Sequence, residues 1–254
     1  MILDRIVEAK RREVAGMKAG RGALERELAS PDLTVIAEIK RASPSRGVIE
    51  KGLEPAERLD AYVRGGARAV SVVTDGPFFD GKADTLRDLR AETDLPLLRK
   101  DFVIDPVQLY ESRFLGADAV LLIAAVLGKD GLSEMLEAAG SIGLETLVEV
   151  HSEKELRMVL GTPARLVGIN NRNLADFSVD LGVTERLMNV LRDLEPPGRR
   201  LVVAESGVFS PEDALFLAGC GVDGILVGSY LVETTEPEGR IREILERVVP
   251  RGAR

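Results

Sequence analysis

The chain has 254 residues, 45% of them hydrophobic and 30% charged, which describes a globular protein with a sizeable core. A net charge of −8 and a pI near 5.0 argue against nonspecific nucleic-acid binding, which needs a basic face. The single cysteine, Cys220, excludes an intramolecular disulfide, and no apolar run approaches the ~20 residues that span a membrane.

The opening Met1-Ile2-Leu3-Asp4-Arg5 lacks the basic-then-apolar order of a signal peptide, so the cytoplasm is the expected location. Residues 2–18 are predicted helical, because Ile2, Leu3, Ile6, Val7, Val14 and Met17 share one face. Beyond this extension, short apolar runs alternate with longer amphipathic segments. Strands are predicted to start near 34, 69, 97, 119, 145, 166, 201 and 224. Helices follow at about 55–65, 82–92, 106–116, 129–141, 152–160, 183–194, 210–219 and 237–248. Several carry start signals: Pro106 after Asp105, Pro211 after Ser210, and Ser152 three residues before Glu155. The pairs Gly66-Ala67, Gly116-Ala117 and Gly221-Val222 precede strands, as glycines that close helices do. Eight βα units in series predict one domain, a closed (β/α)8 TIM barrel over 34–254 with an N-terminal helical extension over 1–33. A doubly wound open sheet is the alternative for the same alternation.

The lysines are the most informative residues. The 34 cationic side chains are 26 arginines and only eight lysines, yet Lys40 and Lys100 both stand at strand ends beside Arg41 and Arg99. Arginine does not release its proton in a protein, whereas a partly buried lysine does, so a retained lysine points to proton transfer or a directed ammonium contact. Glu149, Asn170 and Glu205 occupy later strand ends. Side chains two apart on a strand share a face, which sets Glu38 with Lys40, Leu147 with Glu149, Gly168 with Asn170, and Val203 with Glu205. If those faces point inward, the polar groups form the top layer of a barrel, where acid–base chemistry is placed in this fold. Salt bridges plugging the barrel mouth are the bland alternative.

Ser206-Gly207 after the seventh strand and Gly228-Ser229 after the eighth stand where barrels of this kind bind phosphate through backbone N–H groups. The loop Arg41–Gly47 is polar and long enough to fold over a substrate. No metal-site spacing, dinucleotide fingerprint or P-loop occurs, so no cofactor or metal is expected. His151 reads as structural, without a partner of the right kind, and Cys220 as a packing residue at a helix end.

Together these segments resemble the indole-3-glycerol phosphate synthase family of tryptophan biosynthesis. The likeness runs from Leu3-Asp4-Arg5-Ile6-Val7 onward, through Ile36-Ala37-Glu38-Ile39-Lys40-Arg41-Ala42-Ser43-Pro44-Ser45 and Leu98-Arg99-Lys100-Asp101-Phe102. It continues in Leu147-Val148-Glu149-Val150, Gly168-Ile169-Asn170-Asn171-Arg172-Asn173-Leu174 and Val203-Ala204-Glu205-Ser206-Gly207. The resemblance implies a cofactor-free lyase that closes an indole ring on a carboxyphenylamino-deoxyribulose phosphate, losing carbon dioxide and water. By the same resemblance Lys100 would be the general acid for ring closure, and Glu149 would serve dehydration, sharing that step with Lys40. Lys40 would also pair with an anionic part of the substrate, and Glu38 would orient a lysine. Asn170 and Glu205 would hold sugar hydroxyls and the ring-nitrogen region, and Ser43 and Arg172 the anthranilate carboxylate. Phe102 and Leu121 would form the slot for the aromatic ring, and Ser206, Gly207, Gly228 and Ser229 would bind phosphate.

Two departures from the family pattern stand out: a short segment over 19–33, and Tyr230 where a smaller residue is usual. The partner expected is a small phosphosugar, with no nucleic acid and no membrane, and the chain is expected to be a monomer because no long apolar surface stripe is evident. A Schiff-base aldolase on Lys100, a phosphoribosylanthranilate isomerase, and a non-catalytic barrel subunit are the alternatives. The isomerase reading requires a Cys/Asp acid–base pair, and the only cysteine lies at a predicted helix end.

Overall fold

The computed structural model describes residue 7 and residues 22–43, 47–48, 54–173 and 175–248. The helix predicted over 2–18 lies outside these residues except at Val7, which is helical. The tip of the predicted lid loop, residues 44–46, lies outside them too.

Eight parallel strands close into a barrel: β1 (Thr34–Ile39), β2 (Ala69–Val73), β3 (Leu97–Lys100), β4 (Ala119–Ile123), β5 (Glu145–Val150), β6 (Leu166–Asn170), β7 (Leu201–Glu205) and β8 (Gly224–Val227). Each pairs with its neighbours in sequence, and β8 returns to β1 with Leu226 opposite Ile36. The strands are short runs of Val, Leu, Ile and Ala because both of their faces are buried. One face of each, such as Val35, Val70, Val120 and Val167, packs beneath the helices. The other face turns inward, where Ile36, Leu98, Leu147, Leu166, Val203 and Leu226 fill the barrel. Period-two alternation therefore separates two cores within one sheet.

The helices lie where the start and stop signals put them. Asp105 accepts the Val107 N–H ahead of the helix Pro106–Phe114, and Ser152 and Ser210 cap Glu153–Leu160 and Pro211–Gly219. Gly66, Gly116 and Gly221 all take positive φ, as a helix-closing glycine does. One boundary differs. Helix is predicted from 129, but it begins at Ala124 on the end of β4 and runs to Ser141, interrupted at Gly128 with φ 63°. Residues 124–127 carry no breaker, and only the glycine marks the kink.

A short helix not anticipated from sequence, Ala23–Leu28, closes the bottom of the barrel. Leu24 and Leu28 are fully buried among the inward-facing leucines of the strands. Gly224 gives Leu28 its space, since a Cβ there would lie 2.6 Å from Leu28 Cδ2. The helix has no cap of its own; instead Glu145, at the start of β5, accepts the N–H groups of Leu24 and Glu25 at 2.9 and 2.8 Å. A carboxylate at a helix N-terminus satisfies orphan donors and favours the dipole. Glu145→Ala is expected to cost about 1–2 kcal/mol, on the scale of a lost N-cap, and to leave kcat unchanged because the site lies at the other end. Thermal melts beside steady-state rates check this, and an unchanged melt would show that the latch is idle.

The surface departs from expectation at one place. Val107, Tyr110 and Phe114 form an exposed apolar stripe along the helix Pro106–Phe114, with exposed Ile104 in the loop before it, so the absence of such a stripe does not hold as an argument for a monomer.

Candidate active site

The carboxyl ends of the strands surround a cavity of about 600 Å³. Glu38, Lys40, Lys100, Glu149, Asn170 and Glu205 all line it, as the alternation argument requires. Lys40 Nζ lies 2.8 Å from Glu38 Oε1 and donates to Ser229 Oγ at 3.3 Å, which ties the first strand to the turn after β8. Lys100 Nζ lies 2.5 Å from Glu205 Oε2 and 3.6 Å from Glu149 Oε2. The three carboxylates are almost wholly buried.

Burial alone would neutralise these groups, and their neighbours decide which ones resist it. Burial opposes the charge on Lys100, but Glu205, Glu149 and Glu38 outweigh it and push its pKa above the ordinary lysine value. Lys100 is therefore an ammonium at neutral pH. Burial raises Glu149, but Lys100 and His151 overcome that and hold its pKa at about 2. At Glu205 burial wins, helped by the charges of Glu149 and Glu38 against that of Lys100, and its pKa rises to about 7. Glu38 is drawn below the usual carboxylate range by Lys40 and Lys100, against the effect of burial. Two carboxylates flanking one lysine thus differ in proton affinity, as acid–base work near neutrality requires.

Glycines make room for this cluster. A Cβ on Gly168 would lie 2.1 Å from Glu205 Oε1, and one on Gly228 would lie 2.3 Å from Glu38 Oε1. Glu205 Oε1 is buried without a hydrogen-bond partner and sits over the bare Gly168 backbone. Asn170 Oδ1 accepts the Arg172 N–H at 3.0 Å, which turns its amide nitrogen toward Glu149. Arg172 lines the cavity and donates from its guanidinium to the Phe177 carbonyl at 3.0 Å.

The phosphate candidates Ser206, Gly207, Gly228 and Ser229 all line the cavity. Ser206 and Gly207 have φ of 63° and 94°, and a Cβ on Gly207 would meet Leu181 Cδ2 at 2.5 Å. Gly228 stands immediately before the short helix Ser229–Val232. Phe102 and Leu121 line the cavity as expected. Sequence reasoning missed the rest of the aromatic wall, which is Phe78, Phe79, Phe177 and Phe209 from loops and a short helix. The Phe79 and Phe102 rings lie 6.3 Å apart between centroids. Ser43 lies by its backbone in the two-residue strand Ala42–Ser43, which pairs with Gly47–Val48 in the loop after β1.

His151 has carboxylate partners that the sequence did not reveal. Its Nε2 lies 3.2 Å from Glu149 Oε1, an ion-pair contact off hydrogen-bond alignment, and its Nδ1 lies 3.4 Å from Glu155 Oε2. Burial opposes its charge, but the two glutamates raise its pKa above the ordinary value. Its place two residues after Glu149, at the turn from strand to helix, was the available signal. Cys220 is buried at the end of the helix Pro211–Gly219 and is not part of the cavity lining.

A model of the indole-3-glycerol phosphate synthase family matches residues 3–244. The chain belongs to that family. The indole-3-glycerol phosphate synthase of Petrotoga mobilis is 45% identical over 247 residues, 96% of each chain. That of Caldanaerobacter subterraneus subsp. tengcongensis is 41% identical over 98% of this chain and 99% of its own. That of Trichodesmium erythraeum is 50% identical over 81% of this chain and 69% of its own. Among solved structures, 3-hexulose-6-phosphate synthase from Salmonella typhimurium superposes with a TM-score of 0.68 at 15% identity, covering 86% of this chain and all of the other, which speaks to the fold alone. As a member of the indole-3-glycerol phosphate synthase family the protein is a carboxy-lyase of tryptophan biosynthesis acting on a small phosphosugar-type substrate. No helix among the described residues is long and apolar enough to cross a membrane.

Proposed function

We propose that the protein closes the indole ring of 1-(2-carboxyphenylamino)-1-deoxyribulose 5-phosphate, releasing carbon dioxide and water, with Lys100 as the general acid. The observation that carries these roles is Lys100 held as an ammonium between Glu149 and Glu205 on the floor of a phenylalanine-walled cavity. A ring carbon attacks the sugar ketone, the ketone oxygen takes a proton from Lys100, and carbon dioxide leaves as the ring regains aromaticity. The raised proton affinity of Lys100 keeps the proton on Nζ until charge develops on that oxygen. The new hydroxyl then departs as water while a proton is removed. Glu149, ionised at neutral pH, serves this dehydration, with Lys40 as its partner in the step.

Glu38 orients Lys40, whose contact with Ser229 directs it toward the phosphate end of the substrate. Ser206, Gly207, Gly228 and Ser229 hold that phosphate. Asn170 and Glu205 hold the sugar hydroxyls and the ring-nitrogen region, and Arg172 with Ser43 takes the anthranilate carboxylate. Phe102 and Leu121 grip the aromatic ring. These residues all belong to one barrel domain, which is read as the seat of the activity, with a monomer as the working unit. The lone cysteine and the acidic charge balance fit a cytoplasmic enzyme that binds no nucleic acid.

A Schiff-base aldolase needs a free amine, and Lys100 is held protonated. Borohydride with a keto-sugar phosphate is therefore expected to trap no adduct. An isomerase using a cysteine acid has no thiol in the cavity, since Cys220 is buried at a helix end. The direct test is fluorescence of the product. The chain has no tryptophan, so an indole signal grows against a low background. Saturable signal growth is expected, and its absence from folded protein would overturn the assignment of roles.

A further inference from the structure

We propose that His151 is a positioning residue for Glu149, held behind the site with one ring nitrogen against Glu149 and the other against Glu155. The proposal rests on the dehydration role given to Glu149. His151 is not among the residues lining the cavity, so it acts through Glu149 and not on substrate. It is the first residue after β5, where its backbone N–H donates to Glu155 Oε2 at 2.8 Å. Glu155 is itself anchored, because Ser152 Oγ donates to its Oε1 at 2.8 Å and caps the helix Glu153–Leu160. The residue is thus anchored at its backbone N–H and at Nδ1 by Glu155, which leaves Nε2 in ion-pair contact with Glu149.

Carboxylates face both ring nitrogens, at 3.2 and 3.4 Å. A neutral imidazole would turn a lone pair toward one of them, whereas an imidazolium offers a proton to each. The groups facing the ring are Glu149 from β5 and Glu155 from the following helix; those facing Glu149 are Lys100 from β3, His151 itself, the Asn170 amide from β6 and, across Lys100, the Glu205 carboxylate from β7. The result is an alternating line of Glu155, His151, Glu149, Lys100 and Glu205. Without His151, Glu149 keeps only Lys100 and Asn170, is free to swing toward Lys100, and binds a proton more readily.

The test uses the intact protein and its only histidine. His151→Ala is expected to lower kcat by about 10–100-fold with KM nearly unchanged, and to move the acidic limb of the kcat–pH profile to higher pH. His151→Asn, which donates an amide N–H without titrating, is expected to recover most of kcat. With a single imidazole, the ring 15N signals need no assignment, and they are expected to titrate above the ordinary value of about 6.5 and to fall toward it in Glu149→Gln. Wild-type kcat and profile in His151→Ala would overturn the proposal, as would an imidazole that titrates normally and ignores Glu149→Gln. If Glu149→Gln retains full activity while the imidazole still responds, the pair exists but the role of Glu149 fails, and the catalytic part of the proposal falls with it.

Discussion

Lys100→Met is expected to lower kcat by about 10²–10⁴-fold, the range for loss of a positioned general acid. Methionine keeps most of the volume and removes only the ammonium. The loss should appear in kcat more than in KM, because protonation of the ketone oxygen occurs on the way to the transition state. Stability should respond with a definite sign. Glu149 and Glu205 then lie buried without their shared cation, and breaking such a contact costs about 3–5 kcal/mol when the remaining charges persist. Glu205 already has a pKa of about 7, raised by burial and by its acidic neighbours, and loses the one neighbour that lowered it. A carboxylate raised above its unfolded value favours the fold at low pH and opposes it as pH rises through the folded value. The variant should therefore stay folded near pH 6 and lose melting temperature more steeply than the parent toward pH 8. Rates within a few-fold of the parent, in protein shown to be folded, would remove Lys100 from the mechanism.

Gly168→Ala should be nearly as damaging to turnover, by about 10²-fold, although it adds one methyl and touches no substrate. The added carbon would fall 2.1 Å from Glu205 Oε1, inside any possible contact, so the carboxylate has to move. Glu205 lies 2.5 Å from Lys100, and any displacement that clears the methyl changes that ion pair. The backbone itself offers no objection, since Gly168 is not at positive φ and alanine is at home in a strand. Circular dichroism should therefore keep its native shape, with stability lowered by about 1–3 kcal/mol through overpacking, while kcat falls. Parent-like kcat would mean that the position of Glu205 matters little.

Much of the site was legible because strands obey a period of two. Glu38, Lys40, Glu149, Asn170 and Glu205 were set at strand ends, on faces shared with neighbours two residues away, by counting along apolar runs, and the cavity lining contains all five. The glycines after the seventh and eighth strands were legible for a related reason, since turns mark where strands stop. Loops and contacts across the barrel gave no such signal. Phe78, Phe79, Phe177 and Phe209 converge from separate connections, and nothing in their spacing predicts that. The helix Ala23–Leu28 was missed because its cap, Glu145, comes from 120 residues away. The carboxylate partners of His151 were not legible because they lie on a strand and the helix after it, a turn that reading one strand at a time does not join.

The wall of the cavity has a consequence for supply. The aromatic side chains that line it are all phenylalanines, and the whole chain contains no tryptophan. An enzyme of tryptophan biosynthesis is thus assembled without drawing on its own end product. Synthesis of this chain therefore makes no direct demand on the amino acid whose shortage it would relieve.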